Sequence, residues 1–473
     1  MTQDNPAHVM LTVEGSGNCE AAAGSRAINR RAVLRRGVFG AVGLLWGSRM
    51  AWGFAPHLEP VAEGSQGKAK AVIQIWLWGG PSHLDTFDPK PDAGYDYCGP
   101  LDKPIATNVD GLRIGQLLPE LAKIADKYSV IRSMAHGVNA HETASYLVQT
   151  GRMPGDRYVY PCVGAVVSYF QGQSAQAESQ TSQGLIPPYI VLTEPQGRFS
   201  EAGFLGPRYK PFATGGDPAR TPFAVEGIVS TAVTAERQKS RRELLQRLDT
   251  FRKAMQDEPN IAEFVKAEET AYDLILGDSG KAFEPSEESD DVRERYGRNT
   301  FGQSCLVARR LVERGVRYIT INYKGWDTHK QHFQIMQRKL PELDRGLSAL
   351  LSDLSDRGLL DSTIVWCCGE FGRTPKILWE PPWSGGRNHW GRAFSVLVAG
   401  GGFRPGCVVG STDPKGEAPQ DQPVHPTDLI AAMYQLLGID PTDSLRHPSG
   451  DMVRLTPEPE NGKPLCGFLR AIL

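Results

Sequence analysis

The sequence predicts an α/β protein, a three-layer α/β/α sandwich with a mostly parallel central sheet. Three observations carry this. Short, nearly unbroken apolar runs such as Ala71–Trp78, Val316–Tyr323 and Ser362–Cys368 read as buried strands. Between them lie longer segments with apolar residues at three- and four-residue spacing, and this alternation is that of parallel strands joined by crossover helices. Finally, several of the strands run into turns that carry His, Asp and Glu, and in open α/β sheets ligands bind beyond the carboxyl ends of the strands.

In chain order, residues 1–55 read as a twin-arginine export signal. Asn29-Arg30-Arg31-Ala32-Val33-Leu34-Arg35 precedes a weakly apolar stretch from Gly37 to Gly47, with small residues at Ala51, Gly53 and Ala55 for cleavage. The apolar stretch is too short to hold a bilayer span, and no transmembrane span follows it. Residues 56–69 form a flexible lead-in, and a single domain is expected over 70–473. Within it, Ala71–Trp78 is a strand, Leu117 to Tyr128 a helix, Ser129–Arg132 a short strand, and the segment up to Thr150-Gly151 a helix. Gln171 to Gln183 is rich in Ser, Gln and Ala and reads as an exposed loop. Residues 236–290 form a charged insertion whose Leu244, Leu245, Leu248, Phe251 and Met255 have helical spacing. Phe301 to Glu313 is an amphipathic helix closed by Gly315, followed by strand 316–323. Phe333, Met336, Leu340, Leu343, Leu347, Leu350 and Leu354 mark a long core helix. Strands Ser362–Cys368 and Phe394–Ala399 and a helix from Thr427 to Leu437 complete the pattern.

Composition removes several function classes. The net charge is −2, with no basic block, so a nucleic-acid partner is not expected. Outside the signal there are seven Cys and no C-x-x-C, which excludes a zinc ribbon and a disulfide scaffold. The residues 400–402, three glycines after a strand, lack G-x-G-x-x-G and a following helix, so they do not cradle a nucleotide.

The chemistry-bearing groups gather at strand ends: His83, Asp85 and Asp88; His136 and His141; Asp327, His329 and His332; Glu370 and Arg373; and His389 just before another strand. Most of the ten His fall here. Singly each has a plain structural explanation: a turn at Asp88-Pro89, a satisfied core histidine at His136, a buried ion pair at Glu370 and Arg373. Together, mixed His and carboxylate groups at one sheet edge suit zinc, manganese or iron. Trp379, Trp383 and Trp390 in a Pro/Gly loop fit either an aromatic platform for a sugar or apolar ligand, or loop packing.

These motifs resemble a family of exported bacterial proteins, domain of unknown function 1501, common in planctomycete-like bacteria. The matching pieces are the leader; Gly79-Gly80 with His83, Asp85 and Asp88; Thr150-Gly151-Arg152; Tyr296 to Gly302; Trp326-Asp327-Thr328-His329; Gly369-Glu370 with Arg373; Gly386-Arg387-Asn388-His389-Trp390; and Ala399 to Gly402. The family is similar to the alkaline phosphatase and sulfatase superfamily, which implies an alkaline-phosphatase-like sandwich with metal at the strand ends. By that resemblance one metal is held by Asp327, His329 (or His332) and His389. For a second metal, Gly79-Gly80 stand where an acid is expected and Glu370-Phe371 where an Asp-His pair is expected; Asp85 and Glu370 remain as further ligands. The nucleophile position falls at His141, with Thr143 the nearest hydroxyl, and Asn388 replaces the usual Asp.

The expected protein is therefore an exported, metal-dependent hydrolase of phosphate or sulfate esters in the periplasm or cell envelope. It would use zinc or manganese and act on a small-molecule or polysaccharide ester. In this reading Asp327, His329, His389, Asp85 and Glu370 bind metal, and His141 and Thr143 supply nucleophile or proton transfer. Glu370 doubles as a general base, Arg373 steadies an anion, and Arg387 and Trp390 contact substrate. The alternative is a non-catalytic exported binding or assembly protein on the same fold.

Overall fold

The computed structural model describes residues 67–178, 186–194, 201–221, 278–459 and 463–473, with isolated residues between 223 and 244. The leader, nearly all of the lead-in and most of the charged insertion lie outside the described residues.

The described residues build an eight-stranded sheet from β1 (Ala71–Trp78), β2 (Tyr128–Met134), β3 (Tyr189–Leu192), β4 (Phe212–Ala213), β5 (Tyr318–Lys324), β6 (Thr363–Cys368), β7 (Phe394–Ala399) and β8 (Val408–Val409). Their order across the sheet is β8-β2-β7-β6-β1-β5-β3-β4. Every pairing is parallel except those of β7, which runs antiparallel to both β2 and β6. Helices α1 (His141–Thr150), α2 (Val163–Glu178), α3 (Asp290–Tyr296), α4 (Thr300–Glu313), α5 (His332–Asp356) and α6 (Pro426–Leu436) accompany it.

The three layers follow from strand alternation. Along β1, Ala71, Ile73, Ile75 and Leu77 enter one core with Leu306 of α4 and Leu343 and Leu347 of α5. Val72 and Trp76 point the other way, into a core with Val163 and Val167 of α2 and Leu429 and Met433 of α6. A strand buried on both faces needs no polar alternation, which is why β1, β6 and β7 read as continuous apolar runs. Gln74 breaks the run of β1 and is satisfied: its Oε1 accepts from Thr320 Oγ1 at 2.9 Å and its Nε2 donates to Gln149 at 3.1 Å.

Two expectations need correction. Leu117 to Tyr128 is not one helix but a single α turn, Pro119–Ala122, and a 3-10 turn, Ala125–Lys127. The Ala122 carbonyl is claimed from outside by the Asn108 N–H at 2.9 Å, while Asp344 caps the first-turn amides of Glu120 and Leu121. The Ser/Gln/Ala segment is helical as far as Glu178, because α2 continues into it on residues of good helix propensity. Of the charged insertion, 278–290 consists of short 3-10 turns leading into α3. No described helix is long and apolar enough to cross a membrane.

Candidate metal centre

Five neighbouring strands, β2, β7, β6, β1 and β5, feed one edge of the sheet. Four end there. The antiparallel β7 begins there, so the short strand His389–Trp390 just before it lies at the same edge, paired with Gly372–Arg373. The edge is closely packed. A Cβ on Gly79, whose φ is +111°, would lie 2.2 Å from the Asp327 amide nitrogen, and one on Gly80 would lie 2.4 Å from the Phe371 carbonyl oxygen. Only glycine therefore fits where a second metal's first acid was expected.

Asp327 is the hub of the cluster. Its Oδ1 lies 3.0 Å from His329 Nε2, 3.1 Å from His389 Nε2 and 2.5 Å from the Arg373 guanidinium; its Oδ2 lies 3.4 Å from His141 Nε2. His141, Asp327 and His389 each offer a ligand atom within 4.8 Å of the others. His329 Nε2 is 2.9 Å from His389 Nε2. The Asp327 side chain is 43% exposed, so the cluster opens to solvent.

The far nitrogen of each ring is tied to oxygen. His141 Nδ1 lies 2.6 Å from Glu370 Oε1, His329 Nδ1 2.8 Å from Asn388 Oδ1, and His389 Nδ1 2.8 Å from the Asn139 carbonyl. A carbonyl or carboxylate oxygen only accepts, so each Nδ1 carries a proton and each ring turns its Nε2 toward the centre, where a bound cation would take the place of the Nε2 proton. Metal-binding histidines are oriented in this way. Bare lone pairs at 2.9 Å repel unless a cation or proton lies among them. The donor set, one carboxylate with several imidazoles, fits a divalent metal of the zinc or manganese kind.

The surroundings of the cluster favour charge on both Asp327 and His141. Burial alone would raise the Asp327 carboxyl, but hydrogen bonds from His141 and His389 and the charge of Arg373 hold it far below the usual range. Hydrogen bonds to Asp327 and Glu370 push His141 up to about 9.

The structure does not bring every candidate here. Asp85 is buried elsewhere. Its Oδ2 takes the His332 Nε2 bond at 2.8 Å and pairs with Arg387 Nε at 3.1 Å, while His332 Nδ1 reaches Thr328 Oγ1 at 2.6 Å. Glu370 is wholly buried and spends its carboxylate on the Gly79 amide and on the far nitrogen of His141, so it stands behind that ring and outside the cluster. Arg373 and Arg387 are also wholly buried. Arg373 donates to the carbonyls of Gly79, Gly80 and Arg387 as well as to Asp327, and Arg387 donates to the carbonyls of Tyr97, Thr374 and Pro375. Neither guanidinium reaches an open face where substrate would sit. Thr143 is two residues beyond His141 on α1, about 200° around the helix, and so does not face the cluster. Trp390 donates its indole N–H to Glu417 O at 2.9 Å and flanks the site on the opposite side of its short strand from His389.

Sequence reasoning missed two contributors. Phe371, wholly buried, places its ring 4.6 Å from that of His389 and 5.0 Å from that of His141, where a second metal's histidine was expected. Asn139 supplies the carbonyl that fixes His389, a backbone role with no side-chain signal. His136, read as a core histidine, bonds the Glu370 carbonyl at 2.7 Å.

Fold and site together define a doubly covered α/β sheet with a histidine–carboxylate cluster at its carboxyl edge. The chain belongs to the family described as protein of unknown function (DUF1501), whose model matches residues 69–465. No curated protein matches it. Among solved structures it is similar to the lipoteichoic acid synthase LtaP from Listeria monocytogenes, with 10% identity, 84% of this chain and 76% of that chain covered, and a TM-score of 0.38. It is also similar to the PsFucS1 sulfatase from Pseudoalteromonas sp., with 12% identity, 78% and 68% covered, and a TM-score of 0.33. A third is the phosphonate monoester hydrolase SpPMH from Silicibacter pomeroyi, with 10% identity, 78% and 73% covered, and a TM-score of 0.32.

Proposed function

We propose that the Asp327 cluster is a single-metal centre and that the protein hydrolyses phosphate or sulfate esters there. The observation that carries this is the convergence of three Nε2 atoms on one carboxylate, with each Nδ1 held by an oxygen. Asp327, His141 and His389 would hold the ion, with His329 beside them. A divalent cation there would supply Lewis acidity to an ester oxygen or to water. Asp327 brings the negative charge, and Arg373 keeps it ionised and aimed. Glu370 fixes the His141 ring, and Asn388 and Asn139 fix the other two. His141 thus serves as a ligand, not as a covalent nucleophile, and with Thr143 turned away the attacking group is water.

The leader supports export by the twin-arginine route, which moves folded proteins and so allows metal loading before export. A second reading, a non-catalytic exported binding protein, is favoured by one observation: Arg373 and Arg387 are buried and bonded inside the protein, so neither of these two guanidinium groups is offered to an anion.

The test is metal content by mass spectrometry together with turnover of aryl phosphate and sulfate esters. Purified protein is expected to carry about one equivalent of zinc or manganese, with Asp327→Asn and His389→Ala each reducing it to about a tenth or less. Unchanged content in both variants would sink the metal assignment. A fully loaded protein inert on every ester would favour the binding reading.

A further inference from the structure

Aromatic rings border the Asp327 cluster, and a second aromatic stack lies on the hairpin that reaches it. Trp78, at the end of β1, stacks on His141 with ring centroids 6.0 Å apart and planes 19° apart. Trp383 sits against His329 with centroids 6.4 Å apart and is only half-buried. Trp383 lies near the tip of a hairpin closed by the Leu378–Gly386 bridge, and this hairpin is bonded to the ligand loop: Gln331 N–H donates to Trp383 O at 3.2 Å. The same hairpin carries Trp379, which stacks on Phe333 at 5.8 Å and on Tyr95 at 5.0 Å, with only 6° between the Tyr95 and Trp379 planes. Tyr95 is 64% exposed, so the end of that stack faces solvent.

The setting is polar as well as aromatic. Asn388 spends its Oδ1 on His329, and its side-chain amide N–H groups make no hydrogen bond to the described residues beside the centre. Lys330 and Glu380 are exposed on the two adjoining loops. Flat aromatic faces bordered by exposed amide and charged groups match a pyranose ring, which has apolar C–H faces and a rim of hydroxyls. A purely apolar ligand would leave the polar groups unpaired. The outlying Tyr95 stack suits a chain of several sugars.

We propose that Trp383 and the Tyr95–Trp379 stack form a carbohydrate subsite leading from the metal centre, so that the organic part of the ester is an oligosaccharide. This rests on the metal-centre reading, but sugar binding and ester cleavage can be scored separately.

The test uses the whole metal-loaded protein on a glycan array of neutral, sulfated and phosphorylated oligosaccharides. Hits are then titrated by calorimetry, and p-nitrophenyl sulfate and phosphate serve as sugar-free esters. Trp383→Leu is expected to keep metal content and melting temperature while weakening oligosaccharide binding about tenfold or more, and Trp383→Phe to restore most of it. Tyr95→Ala should weaken hexasaccharides more than disaccharides. If all esters are inert yet array binding persists and Trp383→Leu abolishes it, the hydrolase reading falls and the subsite stands. No binding across the array, or equal affinity in wild type and Trp383→Leu, overturns the subsite.

Discussion

Asp327 and Asp85 make a natural pair of opposites. Both follow a strand at the same sheet edge, and both meet imidazole and guanidinium. Around Asp327 the rings turn their Nε2 atoms inward, and the carboxylate is 43% exposed. Around Asp85 everything is closed: the side chains of Asp85, His332 and Arg387 are at most 1% exposed. There, the Arg387 charge and the His332 bond overcome a burial cost that would raise the carboxyl, and hold it at about 2. The same chemical groups make an open ligand set in one place and a structural anchor in the other. The buried anchor also ties the two ligand-bearing loops together, through Thr328 on one side and Arg387 on the other. Under the proposed function, ligation at the first cluster would draw on rigidity supplied by the second.

The sharpest way to break this contrast is to remove one carboxylate from each cluster. Asp85→Ala strands a buried guanidinium and imidazole and is expected to cost about 3–5 kcal/mol of folding stability, read by urea denaturation of chelated protein. Asp327→Asn keeps an oxygen for the buried Arg373 guanidinium at a half-exposed hub, and should cost less, about 1–2 kcal/mol, in the same chelated assay while losing the metal. Equal losses of stability would show that the two clusters do not differ as described.

The second effect concerns pH. Burial lowers His136 to about 4, although its bond to the Glu370 carbonyl acts in the opposite direction, and burial likewise lowers His83 and His332. These rings fold neutral. The unfolded chain takes up their protons from about pH 6.5 downward, so the folded state's advantage is complete above that value and is lost as pH falls towards 4. His136 alone accounts for on the order of 2–3 kcal/mol across that window. Denaturation midpoints of chelated protein at pH 7 and pH 5 should show the fall, and His136→Phe should flatten it. A flat profile in the wild type would contradict neutral burial.

Much of the fold was legible because two-sided burial writes itself into sequence: β1 and β7 match their apolar runs, and the spacing of Phe333 to Leu354 traces α5. The failure at Leu117–Tyr128 came from a contact outside that window, with Asn108 claiming the Ala122 carbonyl. The edge position of the candidate site was legible for the same reason as the strands. What was not legible was which acid faces outward. Asp85 meets His332 across 247 positions, and Arg387 reaches Tyr97 across 290. No local pattern reports such pairings, so Asp85, Arg373 and Arg387 read as ligand and substrate groups until their partners were in place.

A smaller effect tests the support behind His141. Glu370→Gln keeps the shape of the side chain and an oxygen for the Gly79 amide, but removes the charge facing the His141 ring. Loss of such an orienting group is expected to weaken metal affinity about 10–100-fold without emptying the site at saturating metal. Competition with a chromophoric chelator measures it. Loss of metal even at saturation would make Glu370 a ligand after all.

The smallest expected effect separates two neighbours on α1. His141, the helix's first residue, turns into the cluster, and Thr143 lies about 200° further round. Its hydroxyl therefore cannot share the point on which His141 converges, whatever its spacing in sequence. Thr143→Ala should leave metal content unchanged and shift stability by no more than about 0.5 kcal/mol, whereas His141→Ala removes a ligand and should lower metal content severalfold. If hydrolysis is found and Thr143→Ala abolishes it with the metal retained, the nucleophile is a hydroxyl carried by α1, and the assignment of attack to water fails.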